Sequence, residues 1–141
     1  MKRLTVVLGL LGGAILLAAA QPAPRSTGPD SRIERGRYIV ERVAMCVECH
    51  TPRDSAGNLI TSRLFQGAPM PVPAPPFPNQ NWAFQAPAIA GLVGYVTAEE
   101  IQLLTQGIVA RTGKPPTPPM PRFQMTRQDA EAVIAYLRSL K

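Results

Sequence analysis

The chain is poor in side chains that bind metals. Its 141 residues include one histidine and two cysteines, and all three lie in the stretch Met45-Cys46-Val47-Glu48-Cys49-His50. A structural zinc site takes four ligands, mostly cysteine and histidine, so this inventory excludes one. Basic residues outnumber acidic ones by 15 to 9 but form no cluster, which argues against a nucleic-acid partner.

The order of those three residues predicts a covalently bound haem. Two cysteines separated by two residues, with histidine directly after the second, is the spacing by which haem c is attached. Each thiol adds to one vinyl group of the haem, and the adjacent imidazole reaches the iron. We therefore expect thioethers at Cys46 and Cys49 and iron ligation by His50. A redox-active dithiol would lie at a helix start within a strand-helix-strand unit, which the flanking sequence does not suggest.

Residues 1–20 have the pattern of a secretory signal peptide. Two basic residues precede an apolar run from Leu4 to Ala20, and the small residues at its end predict cleavage before Gln21. The alternative is an uncleaved membrane anchor, because a run of 17 residues lies at the lower limit for spanning a bilayer. Cleavage would leave 13 basic and 9 acidic residues, a net charge of +4. In both cases we expect the folded part in the periplasm.

The rest of the chain predicts one all-α domain. Residues 21–30 are rich in proline and small polar residues and indicate a flexible lead-in, and residues 31–141 form the domain. Asp30 or Ser31 is the expected cap of a first helix that runs to about Ala44. Five residues supply most of the apolar surface of this helix: Ile33, Tyr38, Ile39, Val40 and Val43.

Gly36 lies inside that first helix, where glycine costs about 1 kcal/mol relative to alanine. A close crossing by another helix would explain its presence, and a tolerated weak spot is the alternative.

Two more helices are predicted in the second half of the chain. Thr97 and Glu100 have the spacing of a capping box, and Gly107 marks the end of that helix. Thr126, with Asp129 three residues later, marks the start of the last helix. Apolar residues at helical spacing then form its buried stripe: Ala130, Val133, Ile134 and Leu137.

From Thr51 to Asn81 the sequence predicts turns and loops, with a proline-rich run from Ala68 to Pro78. We expect this segment to cover the haem rather than to act as a plain linker, because its apolar side chains would otherwise face water. These side chains are Leu64, Phe65, Met70, Val72 and Phe77. The indole N–H of Trp82 is expected to donate either to a haem propionate or to a backbone carbonyl.

Two stretches carry a family resemblance. Arg35-Gly36-Arg37-Tyr38-Ile39-Val40, followed by the residues from Cys46 to Arg53, resembles the class I cytochrome c family. The likeness is greatest to bacterial single-haem domains found beside periplasmic dehydrogenases and oxidases. It implies a cytochrome c-like fold, with three to four helices and proline-rich loops around one covalent haem. In that family a glycine and an aromatic on the first helix pack against an aromatic on the last, and Gly36, Tyr38 and Tyr136 match these roles.

The resemblance also concerns the surroundings of the iron histidine. In the family a proline carbonyl after the haem motif orients the histidine ring, and here Pro52, Pro69 and Pro71 stay open as candidates. The segment from Ala86 to Gly91 resembles the family's loop before its middle helix. An asparagine commonly stands there at the position of Ala88, so one hydrogen bond at the haem edge is in doubt.

The class of the sixth iron ligand follows by elimination. His50 is the only histidine, so a methionine thioether is the remaining donor for an electron-transfer haem. Of the five methionines, Met1 leaves with the signal peptide and Met45 adjoins the attachment site. Met125 precedes the cap of the last helix, where an apolar residue packs back on the helix.

Met70 and Met120 remain, and each precedes a proline in a proline-rich loop. The residue pattern alone leaves both open. In class I cytochromes c the ligand stands in a Met-Pro sequence just before the last helix and is followed by an aromatic. Met120 matches that position, with Phe123 as the aromatic, so the resemblance implies His50 and Met120 as the axial ligands.

These features predict a periplasmic electron-transfer protein that is not an enzyme. A carrier needs no substrate pocket and should meet its partners through a small, weak interface. We expect a periplasmic dehydrogenase as electron donor and an oxidase or another cytochrome as acceptor. Membrane contact is expected only through an uncleaved anchor or a partner. Scattered arginines would either steer the protein toward an acidic surface or serve solubility: Arg53, Arg63, Arg111 and Arg122.

Two alternatives stay open. A haem subunit fixed in a dehydrogenase or oxidase complex would copurify with a larger partner. A haem peroxidase or gas-binding protein would have an exchangeable sixth ligand, a high-spin spectrum and ready binding of carbon monoxide.

Overall fold

The computed structural model describes residues 28–76 and 81–141 of the chain. Four α-helices provide most of the regular structure there: α1 (Pro29–Tyr38), α2 (Cys46–His50), α3 (Thr97–Gln106) and α4 (Arg127–Ser139). Shorter helical turns are Ile39–Val43, Thr61–Arg63 and Ala90–Leu92. Two short antiparallel strands form a ribbon, β1 (Ala68–Pro69) and β2 (Gln85–Ala86). The all-α prediction is confirmed.

Several sequence predictions concern residues outside these two described segments. The signal peptide, most of the lead-in and Phe77 lie outside the described residues, so the predictions for them stay predictions. Within the two described segments, no helix combines the length and the apolar character that crossing a bilayer requires.

Helix α1 begins at Pro29, one residue before Asp30. The prediction that Asp30 or Ser31 caps this helix is therefore wrong. Gly28 is the cap and Pro29 is the first helical residue, because the fixed φ of proline and its missing N–H suit that position. Ser31 instead donates its hydroxyl proton to the Gly28 carbonyl oxygen at 2.6 Å. Helical structure then continues to Val43, close to the predicted end, but its last turn is a wider π-turn.

The crossing of α1 and α4 forms the centre of the fold, and it explains Gly36. A Cβ atom at that position would lie 2.6 Å from the carbonyl carbon of Ala132 and 2.7 Å from the Cβ of Tyr136. Only glycine lets the two helices approach this closely. The predicted close crossing, and the predicted contact between Gly36 and Tyr136, are confirmed.

The predicted role of Tyr38 is wrong. Its side chain is 54% exposed, because two residues beyond Gly36 is roughly 200° around a helix with 3.6 residues per turn. The aromatic that packs on Tyr136 is Phe65, whose ring centre lies 6.3 Å away with the planes at 89°. Val43, also predicted to be part of the apolar surface, is exposed as well.

The last helix matches its prediction closely. The Thr126 hydroxyl accepts a hydrogen bond from the Asp129 N–H at 3.1 Å, so the predicted start is confirmed. The predicted stripe is buried, and Tyr136 and Ala132 join it. The core holds these α4 residues together with Ile39, Val40, Val47, Phe65, Leu92 and Leu104.

Helix α3 has the predicted bounds but a different N-terminal cap. The capping box at Thr97 is wrong, since Val96 is the cap and its carbonyl accepts from the Glu100 N–H at 3.1 Å. The Thr97 hydroxyl is occupied by Arg138 of α4, which donates to it at 2.7 Å. Gly107 ends the helix at φ +65, as predicted.

Candidate haem site

Helix α2 is the haem motif itself, a single helical turn between two breaks. Met45, at φ +52 in the left-handed region, separates it from the preceding π-turn, and Thr51 is extended. Cys46 and Cys49 are free thiols three positions apart, so they lie on neighbouring points of one helical face. Burial raises the pKa of Cys46 to about 11, so this thiol is protonated at neutral pH.

The surroundings of Cys49 are more open and more charged. Partial burial raises the pKa of its thiol, the Glu48 carboxylate adds to this effect, and the Arg53 guanidinium opposes it. The motif therefore carries a carboxylate and a guanidinium beside its second thiol.

His50 is buried, and its ring is held by one hydrogen bond. Nδ1 lies 2.8 Å from the carbonyl oxygen of Pro87. A carbonyl can only accept, so Nδ1 carries the proton and Nε2 keeps the lone pair that a metal needs. Burial lowers the pKa of His50, partly offset by the Pro87 bond, and this favours the neutral ligand form. Two thiols at the attachment spacing and an oriented neutral imidazole fit covalent haem c.

The proline that orients His50 is none of the three candidates Pro52, Pro69 and Pro71, so that set was wrong. The cause is the ribbon: Gly67 N–H donates to the His50 carbonyl at 2.9 Å, and Ala68 then pairs with Ala86. This pairing places the residue after Ala86 against the histidine ring.

Gly67 allows the backbone of residues 86–88 to approach closely. It has φ +79, and a Cβ there would lie 2.9 Å from the Ala88 nitrogen. The glycine was visible in the sequence, but its contact with a segment about 20 residues away has no local signal.

The two candidate methionines lie in loops that the ribbon connects. Met70 N–H donates to the Phe84 carbonyl at 2.9 Å, and the neighbouring Ala83 N–H donates to the Pro118 carbonyl at 2.7 Å. Met120 follows Pro118 by two residues, and both methionines are partly buried. Both therefore stay candidates, on loops that are hydrogen-bonded to the neighbouring residues Ala83 and Phe84 just before β2.

Met125 and Trp82 each donate a hydrogen bond to a backbone carbonyl of another segment. Met125 packs on the core and donates its N–H to the Leu104 carbonyl at 2.9 Å, as expected for a structural methionine. Trp82 takes the backbone alternative, with its indole N–H 3.3 Å from the Val72 carbonyl. Phe65 is fully buried in the core, whereas Val72 is exposed, so the expectation that the loop shields its apolar side chains from water holds for Phe65 and is wrong for Val72.

One residue near the site was missed. The Tyr95 hydroxyl donates to the carbonyl of Ala88, the residue after Pro87, at 3.2 Å. No spacing in the sequence indicated it.

Comparison with known proteins defines the class. The family model for cytochrome c matches residues 33–141, most of the chain. The chain therefore belongs to the cytochrome c family, as its resemblance to class I members predicted. This family indicates haem-based electron transfer and implies covalent haem c with iron.

A curated relative gives a more particular comparison. A protein described as "Diheme cytochrome c-type" from Cereibacter sphaeroides is 37% identical over 78 residues, which cover 52% of this chain. The match covers 24% of that relative, so the chain spans about a quarter of its length.

Proposed function

We propose that the protein is an exported electron carrier with one haem c, held by Cys46 and Cys49, and with His50 and Met120 as axial ligands. The donor we propose is a periplasmic dehydrogenase, and the acceptor is an oxidase or another cytochrome. One haem is proposed because the chain has one attachment motif and two cysteines.

The observation that carries the proposal is the bond between His50 Nδ1 and Pro87. It orients the ring and leaves Nε2 as the donor atom, which is the arrangement of a metal-ligating histidine whose other nitrogen is held by a carbonyl. The Gly67–His50 backbone bond fixes the motif from the other side.

When bound, the haem supplies an iron that gains and loses one electron. Cys46 and Cys49 on α2 would hold it in place, and the core around Val40 and Val47 fixes α2. A methionine thioether in the sixth position favours the reduced state and raises the reduction potential. It also occupies the position that a peroxide or a gas would need.

An optical redox titration of the haem-loaded full chain, with carbon monoxide added to the reduced protein, tests this function. We expect a low-spin spectrum in both oxidation states and no spectral change on adding carbon monoxide, because both axial positions are filled. A high-spin haem that binds carbon monoxide readily would overturn the carrier proposal in favour of a peroxidase or gas-binding protein.

Export is tested by the mass of the protein purified from cells. We expect a mature chain that begins at Gln21 and is recovered from the periplasmic fraction. A chain that begins at Met1 and remains with the membrane would replace the cleaved signal with an anchor.

A fixed haem subunit is the second candidate, and it would bury exposed apolar side chains against its partner. Phe84, next to the ribbon, and Val93, before α3, are 77% and 86% exposed. Exposed apolar side chains that form one large patch are typical of a protein that stays in contact with a partner. Exposed apolar side chains that are scattered are ordinary in a free protein. Gel filtration of a mild native extract separates the cases: a carrier elutes alone, and a subunit elutes with a larger protein.

A further inference from the structure

Arg53 reaches back over the haem-attachment helix from the turn that follows it. Its guanidinium donates to the Gly57 carbonyl at 2.8 Å, to the Glu48 carbonyl at 3.4 Å and to the Glu48 carboxylate. The side chains of Arg53 and Glu48 are 32% and 41% exposed, so this ion pair is partly shielded from water. The guanidinium thus joins α2 to the next turn.

The turn holds the guanidinium in place. The Asp54 carboxylate accepts the Ala56 N–H at 3.0 Å and the Asn58 N–H at 2.8 Å, and the Asp54 N–H donates to the Asn58 carbonyl at 2.9 Å. These bonds fix the Gly57 carbonyl without help from Arg53. Arginine therefore meets a preformed acceptor on one side and the motif on the other.

The charge of Glu48 matters because of its place in the motif. It stands between Cys46 and Cys49, so its charge lies within the helical turn that carries both points of haem attachment. A negative charge there stabilises the oxidised iron over the reduced iron and lowers the reduction potential, since the oxidised centre carries one more positive charge. A guanidinium in contact with the carboxylate offsets that effect.

We propose that Arg53 is a positioning residue of the haem site, which holds Glu48 in a neutral pair and thereby keeps the reduction potential high. The inference rests on the proposed function, because it requires a redox-active haem on α2. It assigns to Arg53 a role that is distinct from steering a partner.

The test compares the reduction potentials of three variants of the haem-loaded full chain: Arg53→Gln, Glu48→Gln and the double variant. Arg53→Gln should shift the redox equilibrium about threefold toward the oxidised form, an effect typical of a partly exposed pair. That is about 28 mV, at 59 mV per tenfold for a one-electron couple. Glu48→Gln should shift it about threefold the other way, and the double variant should return close to the wild-type value.

Arg63→Gln is the matched control. Arg63 is exposed in the same loop and makes no ion pair with a described residue, so its removal changes the net charge equally without touching Glu48. Arg53→Lys should recover most of the potential, because it keeps the charge beside the carboxylate.

The proposal is overturned if Arg53→Gln and Arg63→Gln shift the potential equally, or if the double variant keeps the lowered potential of Arg53→Gln, since the effect of Arg53 would then not act through the Glu48 charge. Should Arg53→Gln fail to yield holoprotein, Glu48→Gln alone decides, and an unchanged potential there refutes the idea. Failure of the proposed function looks different, since the wild-type protein itself would then be high-spin or bind carbon monoxide.

Discussion

Replacing Gly36 with alanine is expected to lower the free energy of unfolding by about 3 kcal/mol or more. The added Cβ would meet the backbone of Ala132 and the Cβ of Tyr136, both on α4. These atoms cannot turn aside as the end of a flexible side chain can, so α1 must move away and loosen the core around Val40 and Val133. Alanine's better helix propensity returns only about 1 kcal/mol, so the steric clash decides the sign.

Denaturant titration of the holoprotein, followed by far-UV circular dichroism and by the fluorescence of the single tryptophan, measures this loss. Gly28→Ala is the matched control, because it lies at the start of the same helix and a Cβ there meets nothing within 4 Å. This substitution should lower the free energy of unfolding by about 1 kcal/mol, the usual effect of losing a favourable cap residue. Equal stability of the two variants would show that α1 and α4 do not cross as closely as the structure indicates.

Predictions from the sequence succeeded where neighbouring residues decide the structure. The capping pair Thr126 and Asp129 and the stripe that follows depend on contacts within one helix, and helical spacing reveals them. Gly36 is a special case, because a glycine that weakens its own helix indicates a contact elsewhere without saying where. The haem motif is also local, since attachment needs its residues within one turn.

The features that sequence reasoning missed are contacts between distant segments. Pro87 lies 37 residues after the histidine that it orients, and the ribbon that brings it there has strands too short to show an alternating pattern. Thr97 had the right spacing for a capping box, but Arg138, 41 residues later, takes its hydroxyl. In both cases the observed contact joins segments far apart in the chain, which residue spacing alone cannot reveal.

Met120→Ala is expected to abolish the methionine-to-iron absorption band at the red end of the visible spectrum and to lower the reduction potential, because a thioether opposite histidine stabilises the reduced iron. We propose Met120 on the family resemblance, and its loop is held on both sides. Before the methionine, the Pro118 carbonyl accepts the Ala83 N–H at 2.7 Å. After it, Arg122 packs closely on Gly107, since a Cβ added to Gly107 would lie 3.0 Å from the Cβ of Arg122. A loop fixed at both ends can present a ligand without losing much entropy on binding.

Met70→Ala is the matched control, since Met70 is also partly buried and also followed by proline, on a loop tied to the same segment. It should keep the band and resist carbon monoxide, whereas Met120→Ala should bind it. The opposite pattern would assign the sixth position to Met70. Retention of the band in both variants would exclude both residues and move the search to the remaining methionines, including Met45 and Met125.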